Sequence, residues 1–92
     1  MKIDKEKKYK ARYLKLRKEE DILIVSNHKL ELYFFNNVAL EIYLLLSGES
    51  HTLDQIVMRL LTRFEDVDYN TLVIDVERVM SKLLEADLLE VV

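Results

Sequence analysis

The sequence predicts an α+β domain in which a three-stranded antiparallel sheet is followed by a three-helix bundle. Three observations predict it. Apolar residues recur at every second position between residues 13 and 35, the period changes to that of a helix after Asn36, and the connections between periodic segments are short. One glycine and no proline in 92 residues leave little material for long loops. That length suits one small domain.

The first predicted strand runs from Tyr13 to Arg17, with Leu14 and Leu16 on one side and Tyr13, Lys15 and Arg17 on the other. Charged residues 18–21 form a turn. The run Ile22, Leu23, Ile24, Val25 is short and rich in β-branched side chains, a second strand covered on both faces. Residues 26–29 carry turn chemistry, with Asn27 suited to the left-handed region. The third strand follows, Leu30, Leu32 and Phe34 alternating with Glu31, Tyr33 and Phe35. Tight connections make the three an antiparallel meander.

Asn36 is placed to cap the first helix, whose apolar face is Ala39, Ile42, Tyr43, Leu45 and Leu46. Gly48 stands where a helix end favours a left-handed residue. Thr52, with Gln55 three residues on, forms a capping box for the second helix, which buries Leu53, Ile56, Val57, Leu60, Leu61 and Phe64. Asp68 caps the third, with Leu72, Val76, Val79, Met80 and Leu83 at helical spacing. Leu88, Leu89, Val91 and Val92 close the chain as an apolar tail, read as a short terminal strand. Three strands followed by three one-sided helices is a winged helix-turn-helix-like arrangement over residues 11–92.

Charge divides the chain. Residues 1–18 hold nine Lys or Arg against Asp4 and Glu6, whereas the rest holds five basic against fifteen acidic side chains. Residues 1–10 lack an apolar period and read as a basic, flexible arm on an acidic body. No apolar stretch approaches the roughly 20 residues of a membrane span, and no apolar signal segment follows the basic start. A cytoplasmic protein without membrane contact is expected.

Little catalytic chemistry is available. With no cysteine, thiolate metal sites, iron–sulfur clusters and cysteine nucleophiles are excluded. His28 and His51 fall in separate turns and read as solvated residues, without the spacing of a metal site. One glycine cannot build a phosphate loop. The acidic clusters at 19–21 and 65–68 sit at turns and helix starts, where carboxylates serve the backbone. Neither an enzyme nor a cofactor is expected.

Surface chemistry is more informative. Tyr33 and Phe35 lie opposite Leu30, Leu32 and Phe34, and a small domain cannot cover both faces of an edge strand. The third helix adds Ile74 outside its main stripe and Val73 and Leu84 at its margin. Exposed aromatics on an edge strand beside an apolar helix flank suit an extended peptide added as a further strand.

Residues 36–48, with two Asn, small and apolar residues, Ile42-Tyr43 and a closing Leu45-Leu46-Ser47-Gly48, resemble the first-helix signature of the PqqD-like family. The opening Thr52-Leu53-Asp54-Gln55-Ile56-Val57 is similar to the family's second helix. Asp66-Val67-Asp68, Leu72, Asp75-Val76, Leu83 and Leu88-Leu89 are similar to its third helix and terminal apolar pair. The resemblance covers about residues 13–90. Two departures stand out: Lys29-Leu30 where members often have a glycine, and Tyr69 where they often have a proline.

The resemblance implies a RiPP recognition element, a non-catalytic chaperone that holds the leader segment of a ribosomally made precursor peptide. It presents that peptide to a modifying enzyme, a radical-SAM maturase or a leader peptidase. The leader would pair with the third strand over Lys29, Leu30, Glu31, Leu32, Tyr33, Phe34 and Phe35. It would lie against Asp75, Val76, Arg78, Val79 and Lys82 of the third helix. A second copy could use the same edge, giving a homodimer. The alternative is a winged-helix DNA-binding regulator. Its recognition helix should be basic, yet the third helix carries Asp75, Glu77 and Glu85 against Arg78 and Lys82. No specific nucleic-acid partner is therefore expected.

Overall fold

Pairing of residues 15–35 is dictated by a two-residue turn and a buried asparagine. In the computed structural model, which describes residues 3–92, strand β2 (Lys15–Glu19) and strand β3 (Ile22–Ser26) form a hairpin, joined to strand β4 (Leu32–Phe35) in the order β2-β3-β4. Strand β1 (Tyr9–Ala11) precedes them and pairs with the last element, β5 (Leu89–Val91), in a separate two-stranded sheet. Between β4 and β5 in the chain come helices α1 (Asn37–Gly48), α2 (Leu53–Leu61) and α3 (Tyr69–Glu85). The fold class is α+β, with a three-stranded antiparallel meander and three helices, as expected.

Register decides the faces. Leu23 pairs with Phe35 and Val25 with Tyr33, while Leu16 pairs with Val25. Directly paired residues share a face, so these side chains line the inner face, where Leu23 and Val25 are fully buried. The other phase (Ile22, Ile24, Leu32 and Phe34) points outward. The prediction that residues 22–25 are covered on both faces is corrected: Ile22 is exposed and Ile24 half-buried, because among the described residues no layer covers the outside of the meander.

The predicted caps divide into two kinds. Thr52 Oγ1 accepts from the Gln55 N–H at 3.2 Å while Gln55 Oε1 accepts from the Thr52 N–H at 2.9 Å, the reciprocal box expected. Asp68 Oδ1 accepts from the Thr71 N–H at 2.7 Å, also as expected. Asn36 makes no side-chain cap, however, and Asn37 takes the left-handed φ of 52° at the helix start. Gly48 is the last residue of α1 rather than a left-handed residue beyond it, because Glu49 leaves the helix in extended conformation and its N–H still reaches Leu45 O. At the end of α3 the left-handed position belongs to Asp87 (φ 59°). Leu88 N–H donates to Leu83 O at 2.9 Å and Asp87 N–H to Leu84 O at 3.1 Å, a Schellman closure that buries Leu88.

The arm prediction is also corrected. Met1 and Lys2 lie outside the described residues, but Ile3 and Tyr9 are buried in the core. Tyr9 exchanges backbone hydrogen bonds with His51 at 2.8 and 2.9 Å, and β1 pairs along β5. Burying Tyr9 and Ile3 removes apolar surface that a detached arm would leave in water. The same pairing buries His51, predicted as a solvated turn residue; its imidazole Nε2 lies 3.8 Å from a Glu49 carboxylate oxygen. His28 is exposed, as expected.

The core is one cluster. Leu40, Ile42, Tyr43 and Leu46 of α1 meet the buried faces of α2 and α3, together with Leu23, Val25, Leu88 and Leu89. Tyr43 ties α1 to the β1–β5 sheet: its hydroxyl donates to Leu88 O at 3.0 Å, just before β5, and also lies 3.2 Å from Arg12 O, just after β1. Burial, reinforced by neighbouring Tyr13, pushes this phenol well above its ordinary pKa.

Candidate functional site

The meander has two edges, β2 and β4. Strand β4 stands last in the sheet order, and among the described residues no strand other than β3 pairs with it. An antiparallel edge presents unpaired amides and carbonyls to whatever extended chain approaches.

What holds this edge in place is Asn27, a residue whose role is invisible in the sequence. Its side chain is completely buried. Oδ1 accepts from the Lys29 and Glu31 N–H groups at 3.0 and 2.9 Å, shaping the turn into β4. Nδ2 donates to Glu31 Oε1 and to Ala86 O, both at 2.8 Å. The bond to Ala86 ties the start of the edge strand to the C-terminal cap of α3, 59 residues away in sequence. The left-handed residue of this turn is Leu30 (φ 65°), not Asn27.

The sequence pattern treats Tyr33 and Phe35 as the exposed side of the strand; the structure reverses this. Tyr33 and Phe35 are half-buried and stack on each other with ring centroids 6.5 Å apart, and Phe35 packs on Tyr43 at 5.4 Å. Leu32 and Phe34 are 62% and 65% exposed. The register to Leu23 and Val25 draws the two aromatics inward, where they close the rim of the core. The predicted pairing segment also shortens: Lys29, Leu30 and Glu31 belong to the turn, and only residues 32–35 are strand.

On α3 the predicted contact residues separate by depth. Val76 is fully buried and belongs to the core, so it cannot meet a ligand at the surface. Val79 and Val73 are half-buried at the margin, while Asp75, Arg78 and Lys82 are exposed. Asp75 and Arg78 face each other at 3.7 Å, a solvent-exposed pair of small energetic weight. Ile74 is 59% exposed, as its position outside the apolar stripe predicts.

Among the described residues, no group of three or more His, Cys, Asp or Glu side chains is gathered so as to hold a metal ion. Nor is any helix long and apolar enough to cross a membrane.

What fold and edge define is a small α+β domain whose most accessible chemistry is backbone pairing. The family model Coenzyme PQQ synthesis protein D (PqqD) matches residues 21–89, and the chain belongs to that family, the RiPP recognition elements. Members are non-catalytic accessory proteins of ribosomal peptide maturation. No curated protein and no solved structure matches the chain.

Proposed function

We propose that this protein is a peptide-binding chaperone that holds the leader segment of a ribosomally made precursor as an antiparallel strand on β4, against the flank of α3. It presents that precursor to a modifying enzyme, a radical-SAM maturase or a leader peptidase. The observation that carries this reading is the open β4 edge, within the span matched by the family and anchored to the end of α3 through Asn27. Such a role needs no catalytic side chain. Main-chain bonds supply affinity, and alternate side chains supply specificity. In this reading the meander and three helices are a winged helix-turn-helix turned to peptide rather than DNA recognition.

The test is a titration of the isotopically labelled protein with synthetic leader segments of precursor peptides encoded near its gene. Amide shifts should concentrate in residues 29–35 and on the exposed face of α3. Shifts confined to α1 and α2 would refute the assignment.

A further inference from the structure

The outward side of the meander is unevenly apolar. At the β2 edge it carries Lys15, Arg17 and Glu19, with Arg17 and Glu19 ion-paired to each other. At the β4 edge it carries Leu32 and Phe34, and Phe34 is paired with Ile24 of the middle strand. Charged side chains discourage addition of a strand, whereas apolar ones on an open edge invite it. The two edges of one sheet are thus treated in opposite ways.

Leu30 sharpens the contrast. Its left-handed φ is a conformation that glycine or asparagine adopts far more easily than a branched side chain. Yet this leucine is 75% exposed and adds nothing to the core. With Leu14, Ile24, Ser26 and Leu32, and with Lys15 and Arg17 on its β2 side, it lines a groove of about 390 Å³ across the outward face that reaches the β4 edge at Leu32.

Resting on the reading of β4 as the docking edge, we infer that Leu30, Leu32 and Phe34 select the incoming strand through its outward side chains. The bound segment carries apolar residues at alternate positions on the side facing away from α3, in addition to any that face it. The pleat continues across an added strand. Residues directly opposite Leu32 and Phe34 lie on the same outward face, with Cβ atoms about 4.5–5.5 Å away. A charged or small polar residue there would leave Leu32 and Phe34 as exposed as before. An aromatic or β-branched residue would cover them. The occupant is an extended segment because the apolar row follows one strand and ends in charge at β2.

The test uses synthetic peptides of about 12 residues tiled across neighbouring precursor leaders, with dissociation constants read by fluorescence anisotropy and β4 amide shifts read by NMR. In the binding peptide, replacing either outward apolar residue by Ser should weaken binding roughly two- to fivefold. Leu32→Ser and Phe34→Ser should weaken it similarly, with unchanged thermal melting because both side chains are exposed. Combining the peptide and protein changes at one pair should add little further loss. If β4 amides shift but these substitutions leave affinity unchanged, outward selection is wrong while the docking edge stands. Peptides that bind without shifting β4 overturn both. Self-association of the protein that Phe34→Ser abolishes would assign the row to a second copy and likewise overturn the inference.

Discussion

Asn27 shows how much one side chain can organise. Its four hydrogen bonds satisfy two amides of the turn into β4, a carboxylate oxygen of Glu31 and the carbonyl of Ala86, all from a fully buried position. Replacement by alanine would leave the part-buried backbone groups of Lys29, Glu31 and Ala86 without these partners, and a fully buried group of this kind costs about 1–3 kcal/mol. Asn27→Ala should therefore lower the unfolding free energy by about 1–3 kcal/mol in urea denaturation. A loss below about 1 kcal/mol would show that water replaces the network at little cost. Its identity as a turn residue is legible in the sequence. Its bond across 59 residues is not, because nothing local signals a contact with the cap of α3.

At the scale of elements, legibility follows polarity contrast. In α2 and α3 apolar and charged residues separate on the 3.6-residue period, so both side-chain caps and most of the buried stripe could be read directly. Of the residues assigned to the stripe, Leu61 and Val79 are only half-buried, as is Phe64, which lies beyond the end of α2. In β4 every residue is apolar or aromatic, so alternation shows two faces without saying which is inside. Pairing with β3 decides that, and it turns Tyr33 and Phe35 inward. A charge at Tyr33 would thus break a packed ring pair before it reported on docking. The three-residue strands β1 and β5 were illegible as a pair because they lie at opposite ends of the chain. Capping offers a test at this scale. The Thr71 backbone N–H, then its hydroxyl, hold the Asp68 carboxyl below its ordinary pKa. A depressed folded pKa stabilises the protein above the unfolded value of about 3.9, and that contribution disappears as pH falls through the lower folded value. Asp68→Asn keeps a capping acceptor without a titrating group. The difference in melting temperature between the two proteins should be flat above about pH 5 and drift against wild type below it. A pH-independent difference would remove Asp68 from the acid response.

For the whole molecule the question is what the division of charge does. The basic start is not a detachable tail: Ile3 and Tyr9 are core residues, and β1 closes on β5 and His51. Deleting residues 1–10 would therefore test stability and charge together, and a cleaner experiment keeps the backbone. Lys5, Lys7, Lys8 and Lys10 are exposed, so replacing all four with Gln removes cationic charge while leaving the packed residues in place. Affinity for duplex DNA rests largely on phosphate neutralisation and falls steeply with salt. The third helix offers only Arg78 and Lys82 against Asp75, Glu77 and Glu85, too few cations for a recognition helix. Any duplex binding by the wild-type protein should thus be weak, indifferent to sequence and lost in the four-Gln variant at near-physiological salt. Leader binding at β4 should persist, because none of the four lysines lies on β4 or α3. Fluorescence anisotropy with random-sequence duplex and with the leader peptide reads both quantities on the same samples. A tight, sequence-selective DNA complex that survives loss of the four lysines would move this protein from peptide maturation to the regulators of transcription.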